Sequence, residues 1–487
     1  MYEEKRIFDK IGPMILRDAL QRVKGFRYVV EQLELCSPVG RRCLYDSPWM
    51  DSKGALEMEF ERIRQVCALG EQPASAAVLE GVEVKLMQVR DIRGTVKRTA
   101  TASVLDDLEL FELKHFALLV EDIREMVRMW PWVELPDLEE LVGVLDPEGN
   151  RLPHFYVYDA YDPTLAEIRS MIRQRSQQGD SEEMLAGLYE QEMALENRVR
   201  EDLSARLRVW HARLRQALEG IGMVDMILAK AKLARQWQLV CPTVQEEGDL
   251  VLEGLFHPQV QAVLNREGKV FQAVDICLSR EAAVITGANM AGKTVLLKSV
   301  QLVQYLTQFG FYVPARKAVV PLVERVLTSI GDEQDELNGL SSFAAEMLVM
   351  NDIVDAISQH QRVLVLIDEL ARTTNPQEGR AIVNGMVDFL SSHRVMAMVT
   401  THYGGITAAC RKWRVRGVVE NRFKGEMTLN NINEFMDYSL EADDREDVPH
   451  EAIRIAWMLG IDRELLERVE NYLQEEEGNS CLKKTVQ

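Results

Sequence analysis

The sequence has no run approaching the roughly 20 unbroken apolar residues that a membrane span requires. It opens MYEEKRIFDK, with no basic segment leading into an apolar one, so no secretory signal is expected. Cysteine is sparse: the seven residues stand at 36, 43, 67, 241, 277, 410 and 481, none in a CxxC pair. That spacing indicates neither a zinc site nor a disulfide framework. Reduced thiols in a cytoplasmic protein are the expectation. Positive charge is also short, with 57 Lys and Arg against 77 Asp and Glu, a net −20. Phosphate backbones are bound by cations that displace counterions. Generic nucleic-acid binding is therefore disfavoured, although a local basic patch is compatible with the total.

What is present fits a multidomain protein. A chain of 487 residues exceeds one core and suggests two or three domains, and 47% hydrophobic residues exclude wholesale disorder. Residues 1–130 read as mostly helical, with Leu105, Leu108, Phe111, Leu119, Ile123 and Met126 at helical spacings. Two turn signals, Asp146-Pro-Glu-Gly149 and Leu152-Pro153, then precede the aromatic run Phe155–Tyr158, which predicts a short hairpin or an ordered loop. From about 163 to 235 the pattern is helical again. Leu188, Leu195, Val199, Leu203, Leu207, Trp210, Leu214, Leu218, Ile221 and Leu228 form one apolar stripe between Glu- and Arg-rich flanks. Gly220 and Gly222 are candidate bending points. Such a stripe suits a plain bundle helix and a lever equally well. The Arg-rich stretch 200–215 alternates with acids, which favours a solvated helix face over a nucleic-acid stripe.

From about 245, short β-branched runs alternate with helical stretches: 281–287, 362–369 and 394–403. Buried parallel strands read this way, so an α/β domain is expected. The segment 450–475 predicts two short helices broken at Gly460, followed by a disordered tail at 476–487.

The strongest local signal is Gly287-Ala288-Asn289-Met290-Ala291-Gly292-Lys293-Thr294, which fits G-x-x-x-x-G-K-[ST]. An apolar strand precedes it and a helix-forming run follows, the order that a phosphate loop requires. Glycines let backbone N–H groups turn toward phosphate oxygens, and the helix N-terminus adds its dipole. Lys293 is expected to reach the β- and γ-phosphates of ATP, and Thr294 to ligate Mg2+. Some 75 residues on, Val363-Leu-Val-Leu-Ile-Asp368-Glu369 is an apolar strand ending in two acids. Asp368 is the expected second Mg2+ holder and Glu369 the group that deprotonates the attacking water. A third strand ends in Thr400-Thr401-His402-Tyr403. Ligands of open α/β sheets bind at strand C-termini, so His402 is expected to sense the γ-phosphate.

GANMAGKT, VLVLIDE and TTHY in this order resemble the ATPase domain of the MutS family, which carries GPNMGGKS, a strand ending DE, and ATHY. Gly310-Phe-Tyr-Val-Pro-Ala315 resembles the family's G-x-x-V-P-A, and Gly339-Leu-Ser-Ser-Phe-Ala-Ala-Glu-Met347 its G-R-S-T-F-x-x-E-M. His257-Pro258 and Phe271 resemble elements ahead of the phosphate loop. Ser37-Pro-Val-Gly-Arg-Arg42 and Glu59-Phe-Glu-Arg-Ile63 look like the start of the family's helical core.

The resemblance implies α plus α/β architecture. A helical core or lever would occupy 1–240, a P-loop ATPase domain of ABC type 241–445, and a dimerising helix–turn–helix 446–475. It further implies that Phe271 stacks on adenine, that Asn289 contacts phosphates, and that Ser341 reaches the γ-phosphate of a partner subunit. The active unit would be a homodimer, or a heterodimer with a related chain.

The departures matter as much. No mismatch-reading or connector domain is expected ahead of the helical core, and a short polar bridge, RQRSQQGDSEE, stands where repair members carry a clamp. Leu370-Ala-Arg-Thr-Thr-Asn-Pro-Gln-Glu-Gly379 replaces I-G-R-G-T-S-T-Y-D-G, Leu340 replaces a basic residue, and Ala291 replaces a glycine. The A-R-T-T-N-P-x-E-G variant resembles stand-alone MutS-like reactivases of cobalamin-dependent lysine or ornithine aminomutases. A protein client is thus the favoured expectation, and a DNA mismatch-repair or recombination ATPase the alternative.

Overall fold

The computed structural model describes residues 14–152, 154–287, 291–330, 342–359, 362–372, 374–419, 435–443 and 451–484. The first half is helical: α1 (Leu16–Arg22), α2 (Lys24–Glu31), α3 (Pro38–Tyr45), α4 (Lys53–Leu69), α5 (Pro73–Leu86), α6 (Arg93–Thr99), α7 (Asp107–Met126), α8 (Glu139–Leu145), α9 (Pro163–Gln177), α10 (Glu182–Leu207) and α11 (His211–Gln236). Helix α7 starts in a full capping box, Asp106 accepting from Glu109 N–H and Glu109 answering at the Asp106 N–H. Its buried stripe is Leu110, Leu113, Phe116, Ala117, Val120 and Ile123. Leu108, which the spacing placed on the apolar face, is 61% exposed. The helix is apolar on more than one side, so spacing alone selected a mixture of faces.

The stretch 150–158 is an ordered loop and forms no strand among its described residues. It is tied down at a buried ion pair, where Lys114 Nζ donates to Asp146 Oδ1 at 2.9 Å and to the Tyr158 hydroxyl at 2.7 Å. Burial raises the Asp146 carboxyl, but Lys114 and the Arg151 N–H outweigh it and hold the group below its ordinary value.

The long apolar stripe is divided. Helices α9 and α10 pack as a hairpin whose turn lies at 178–181. A 3-10 turn, Arg208–Trp210, separates α10 from α11. The break therefore falls ahead of Gly220 and Gly222, which lie inside α11. A Cβ on Gly220 would sit 2.7 Å from Leu135, and one on Gly222 would sit 3.0 Å from Cys43. These glycines permit close packing within a continuous helix. Arg200 pairs with Asp107 at 2.7 Å and with Glu196 at 3.0 Å, Arg206 with Asp202, and Arg215 with Glu219.

Two sequence motifs of the helical half meet α11. Asp225 accepts from the Ser37 N–H (2.7 Å) and hydroxyl (2.6 Å) and from the Cys36 N–H (2.9 Å). Ser37 in turn caps α3 by accepting from Gly40 N–H. A Cβ on Gly40 would stand 2.1 Å from Asp225 Oδ2, which explains the glycine in Ser-Pro-Val-Gly. Glu59 of α4 meets Lys230 of α11 at 2.8 Å.

The second half contains β1 (Thr243–Gln245), β2 (Leu250–Leu255), α12 (Pro258–Arg266), β3 (Val274–Leu278), β4 (Ala282–Thr286), α13 (Lys293–Gln308), β5 (Lys317–Pro321), β6 (Arg325–Ser329), α14 (Ser342–Gln359), β7 (Val363–Ile367), α15 (Pro376–Ser392), β8 (Met396–Thr400), β9 (Arg411–Val418), β10 (Met436–Ala442), α16 (Glu451–Met458) and α17 (Arg463–Lys484). A small sheet has the order β1-β5-β2-β3, and the main sheet β10-β9-β4-β8-β7-β6. From β9 to β6 the main sheet is parallel, with antiparallel β10 at one edge. All five residues of β7 and of β8 are buried, as a sheet covered on both faces requires.

Helix α13 is buried on every side from Ser299 to Gln308 and packs against both α2 and the main sheet. Two of its glutamines bond to backbone outside the helix: Gln308 donates to the carbonyls of Met50 and Val323, and Gln304 to that of Pro321. Phe26 of α2 stacks on Phe309, with Trp49 and Tyr305 edge-on nearby, so one hydrophobic cluster runs from the helical half into the sheet. Gly460 (φ +74°) separates α16 from α17. Helix α17 continues to Lys484, through residues where composition predicted a disordered tail. That stretch has no proline, and Lys483 and Lys484 suit a helix C-terminus.

Candidate active site

The site lies where the parallel strands end. Strand β4 runs into Gly287, whose φ of +143° favours glycine. Gly292, at φ +75°, caps α13. A Cβ on Gly292 would touch the Tyr438 ring at 3.0 Å, so an aromatic from β10 lies against this glycine. Ala291 is buried. Ala288, Asn289 and Met290 fall outside the described residues, as does Ser341.

Lys293 is 4% exposed and donates to the Gly287 carbonyl at 2.5 Å, folding its side chain back over the loop. Its Nζ stands 3.9 Å from Glu369 Oε1. Thr294 donates its hydroxyl to Asp368 Oδ2 at 2.6 Å. The other carboxylate oxygen, Oδ1, accepts from the Thr400 hydroxyl at 2.6 Å. That same Thr400 oxygen accepts the Glu369 N–H at 2.9 Å. Thr294, Asp368, Thr400 and Glu369 are thus one connected chain from the start of α13 across two strand ends. The pair Thr294 and Asp368 fits Mg2+: a hydroxyl and one carboxylate, with water and phosphate oxygens left to complete six hard donors.

Glu369 has φ +48° and Ala371 φ +60°. Two left-handed residues with side chains cost about 2–4 kcal/mol together, and such strain persists only where the surroundings impose it. Glu346 of α14 accepts the Ala371 N–H at 2.7 Å, and the Tyr403 hydroxyl donates to the Ala371 carbonyl at 2.7 Å. Burial pushes the Glu346 carboxyl above its ordinary value, against the pull of the Ala371 N–H and Arg372. Arg372 reaches Glu369 Oε2 at 3.3 Å. In the departing segment after the acids, Asn375 caps α15 by accepting from Gln377 and Glu378 N–H groups, with Pro376 at the first helical position.

His402 is exposed at the same edge, its ring 4.1 Å from that of Tyr403. Burial of part of the ring, with Lys293 and Arg372, lowers its pKa against the attraction of Glu369, so the neutral imidazole is favoured at neutral pH. Phe271 lies in the loop between α12 and β3. Its neighbour Gln272 donates to Asp437 at 2.7 Å and accepts from Tyr438 N–H at 3.3 Å, which fastens this loop beside the tyrosine at Gly292. Lys293, Thr294, Asp368, Glu369 and His402 are therefore brought together, with Phe271 on the flank. Thr400, Tyr438, Glu346 and Arg372 join them without having been singled out from the sequence. The Tyr438 contact carries no local signal, whereas Thr400 stood in a motif whose histidine drew the attention.

A parallel sheet with a glycine loop, a buried lysine at the next helix and a strand ending in paired acids defines a P-loop nucleotide-binding domain. Residues 283–476 match the family model described as MutS domain V. Over this segment the chain is similar to proteins of the MutS family. It is 30% identical over 214 residues to the DNA mismatch repair protein MutS of Shouchella clausii, covering 44% of this chain and 24% of that protein. It is 34% identical over 213 residues to the endonuclease MutS2 of Ligilactobacillus salivarius, covering 44% and 26%. The endonuclease MutS2 of Carboxydothermus hydrogenoformans aligns over 294 residues at 29% identity, covering 59% and 35%. These matches span only a quarter to a third of the relatives' lengths.

Proposed function

We propose that the chain is an ATP-binding, ATP-hydrolysing switch that works as a dimer and acts on a protein client. The connected group Thr294–Asp368–Thr400–Glu369 carries this reading. Lys293 neutralises the β- and γ-phosphates, and Phe271 stacks on adenine. Mg2+, held by Thr294 and Asp368, supplies charge neutralisation at the phosphates. Glu369 takes the proton of the attacking water, and neutral His402 hydrogen-bonds the γ-phosphate. Thr400 keeps both acids in place through their carboxylate and amide. Ser341 of one subunit completes the site of the other, with α16 and α17 clasping the partner protomer.

A protein client is favoured by the net charge of −20 and by the arginines of 200–215, three of which pair with carboxylates. The charged stripe that a duplex would need is thus partly neutralised. A reactivase acting on a cobalamin-dependent aminomutase is the client class that the segment after the acids suggests. The second reading, a mismatch-repair or recombination ATPase on DNA, is supported by the names of the relatives.

Glu369→Gln is expected to bind ATP like the unaltered protein and to lose turnover by about 100- to 10,000-fold. Unchanged steady-state hydrolysis would remove Glu369 from the reaction. Titration with matched and mismatched duplexes at low and moderate salt separates the clients. Affinity tighter than micromolar at moderate salt overturns the protein-client reading.

A further inference from the structure

The backbone just after the paired acids is gripped from two sides. Leu370 and Ala371 are fully buried, so the peptide groups of Ala371 cannot turn to water. Glu346 accepts the Ala371 N–H, and Tyr403 donates to its carbonyl, each at 2.7 Å. Gly379 of α15 makes room for that tyrosine, since a Cβ there would stand 2.4 Å from Tyr403 Oη. Helix α14 and the segment after β8 therefore converge on one residue two positions beyond Glu369, with α15 packed against the tyrosine.

We infer that Glu346 and Tyr403 are positioning residues that lock the left-handed turn Glu369–Ala371 and thereby aim the Glu369 carboxylate at the attacking water. The inference rests on the reading of Glu369 given above. Neither residue touches a phosphate in this role; both act through the Ala371 peptide. A turn with φ +48° and +60° at side-chain-bearing residues relaxes toward right-handed backbone when its restraints go. Such relaxation carries the carboxylate off the line set by Lys293 and Thr400. Helix α14 begins directly after Ser341, so Glu346 also ties the aim of Glu369 to the helix that follows that serine.

The test uses full-length protein with Mg2+ and ATP. It measures kcat and KM, the Kd of a fluorescent ATP analogue, and Tm. Tyr403→Phe and Glu346→Ala are each expected to lower kcat about tenfold while Kd stays within about twofold, because a small misplacement of a catalytic group costs rate and not binding. Glu346→Gln keeps an acceptor oxygen for the Ala371 N–H and should recover most of the rate. Glu369→Gln is the control for the underlying reading. If it is inactive while Tyr403→Phe and Glu346→Ala turn over normally, the inference falls and the ATPase reading stands. If Glu369→Gln turns over normally, the assignment of Glu369 as the base falls first, and the inference with it. A loss of Kd and Tm with kcat unchanged would mark both residues as structural and also overturns the inference. Should Glu346→Ala fail to fold, Tyr403→Phe decides alone.

Discussion

The protein contains two lysine–glutamate pairs that look alike on paper and differ in construction. At the junction of the helical half with the ATPase core, Lys230 meets Glu59 at 2.8 Å, donates to the Phe309 carbonyl at 3.0 Å and lies over the Phe311 ring. Both side chains are under 10% exposed, and Gly310 leaves space for them. At the strand ends, Lys293 stands 3.9 Å from Glu369, beyond hydrogen-bond reach. The first pair is a closed polar network and the second an open one. A closed network fixes geometry because every partner lost leaves a buried charge. In the open pair the two charges lie near each other without a direct hydrogen bond, Lys293 donating to the Gly287 carbonyl and Glu369 pairing with Arg372.

Substitutions sharpen this contrast. The largest expected loss of stability is at the closed pair: Lys230→Ala strands Glu59 and should cost about 3–5 kcal/mol, read by denaturant unfolding. A cost below about 1 kcal/mol would mean that the junction is not a rigid network. Lys293→Ala should instead leave unfolding nearly unchanged and weaken nucleotide affinity by about a hundredfold or more, roughly 3 kcal/mol, seen by titration calorimetry. Wild-type affinity in that variant would argue against the phosphate loop.

The smallest effect is a titration on the junction side. His257 is pushed down to about 4 by burial and by the charge of Lys298, from an ordinary 6.5. Its Nε2 lies 2.9 Å from where a Gly25 Cβ would stand, so it is sealed under α2. The unfolded chain binds the proton first as pH falls, so stability is complete above pH 6.5 and declines below it. At pH 5 the decline is about 2 kcal/mol. His257→Asn should flatten this part of the pH profile, and an unaltered slope would assign the acid sensitivity elsewhere.

The legible part of this site was contiguous in sequence. A glycine loop with its lysine, and a strand ending in two acids, are each complete within ten residues, so their chemistry could be read before any folding. Thr400, Glu346 and Tyr438 act across 31, 25 and more residues, where only the tertiary fold brings them to the acids and the loop. The helical half was legible as helix but less so in its faces. Leu108 shares its spacing with buried residues of α7 and still faces water. Gly220 and Gly222 read as flexible points because a glycine's neighbours in space, Leu135 and Cys43, leave no trace in its neighbours along the chain.

Helix α13 has a consequence for how events at the phosphates spread. It is 16 residues long, about 24 Å, and starts at Lys293. Its far end is riveted through Gln308 to the backbone on both of its sides, at Met50 and at Val323. Sliding along its own axis would break two hydrogen bonds of the Gln308 amide at once. A push on the loop is therefore passed on as tilt of a stiff rod, delivered some two dozen ångströms away, where Phe309 meets the aromatic ring of Phe26.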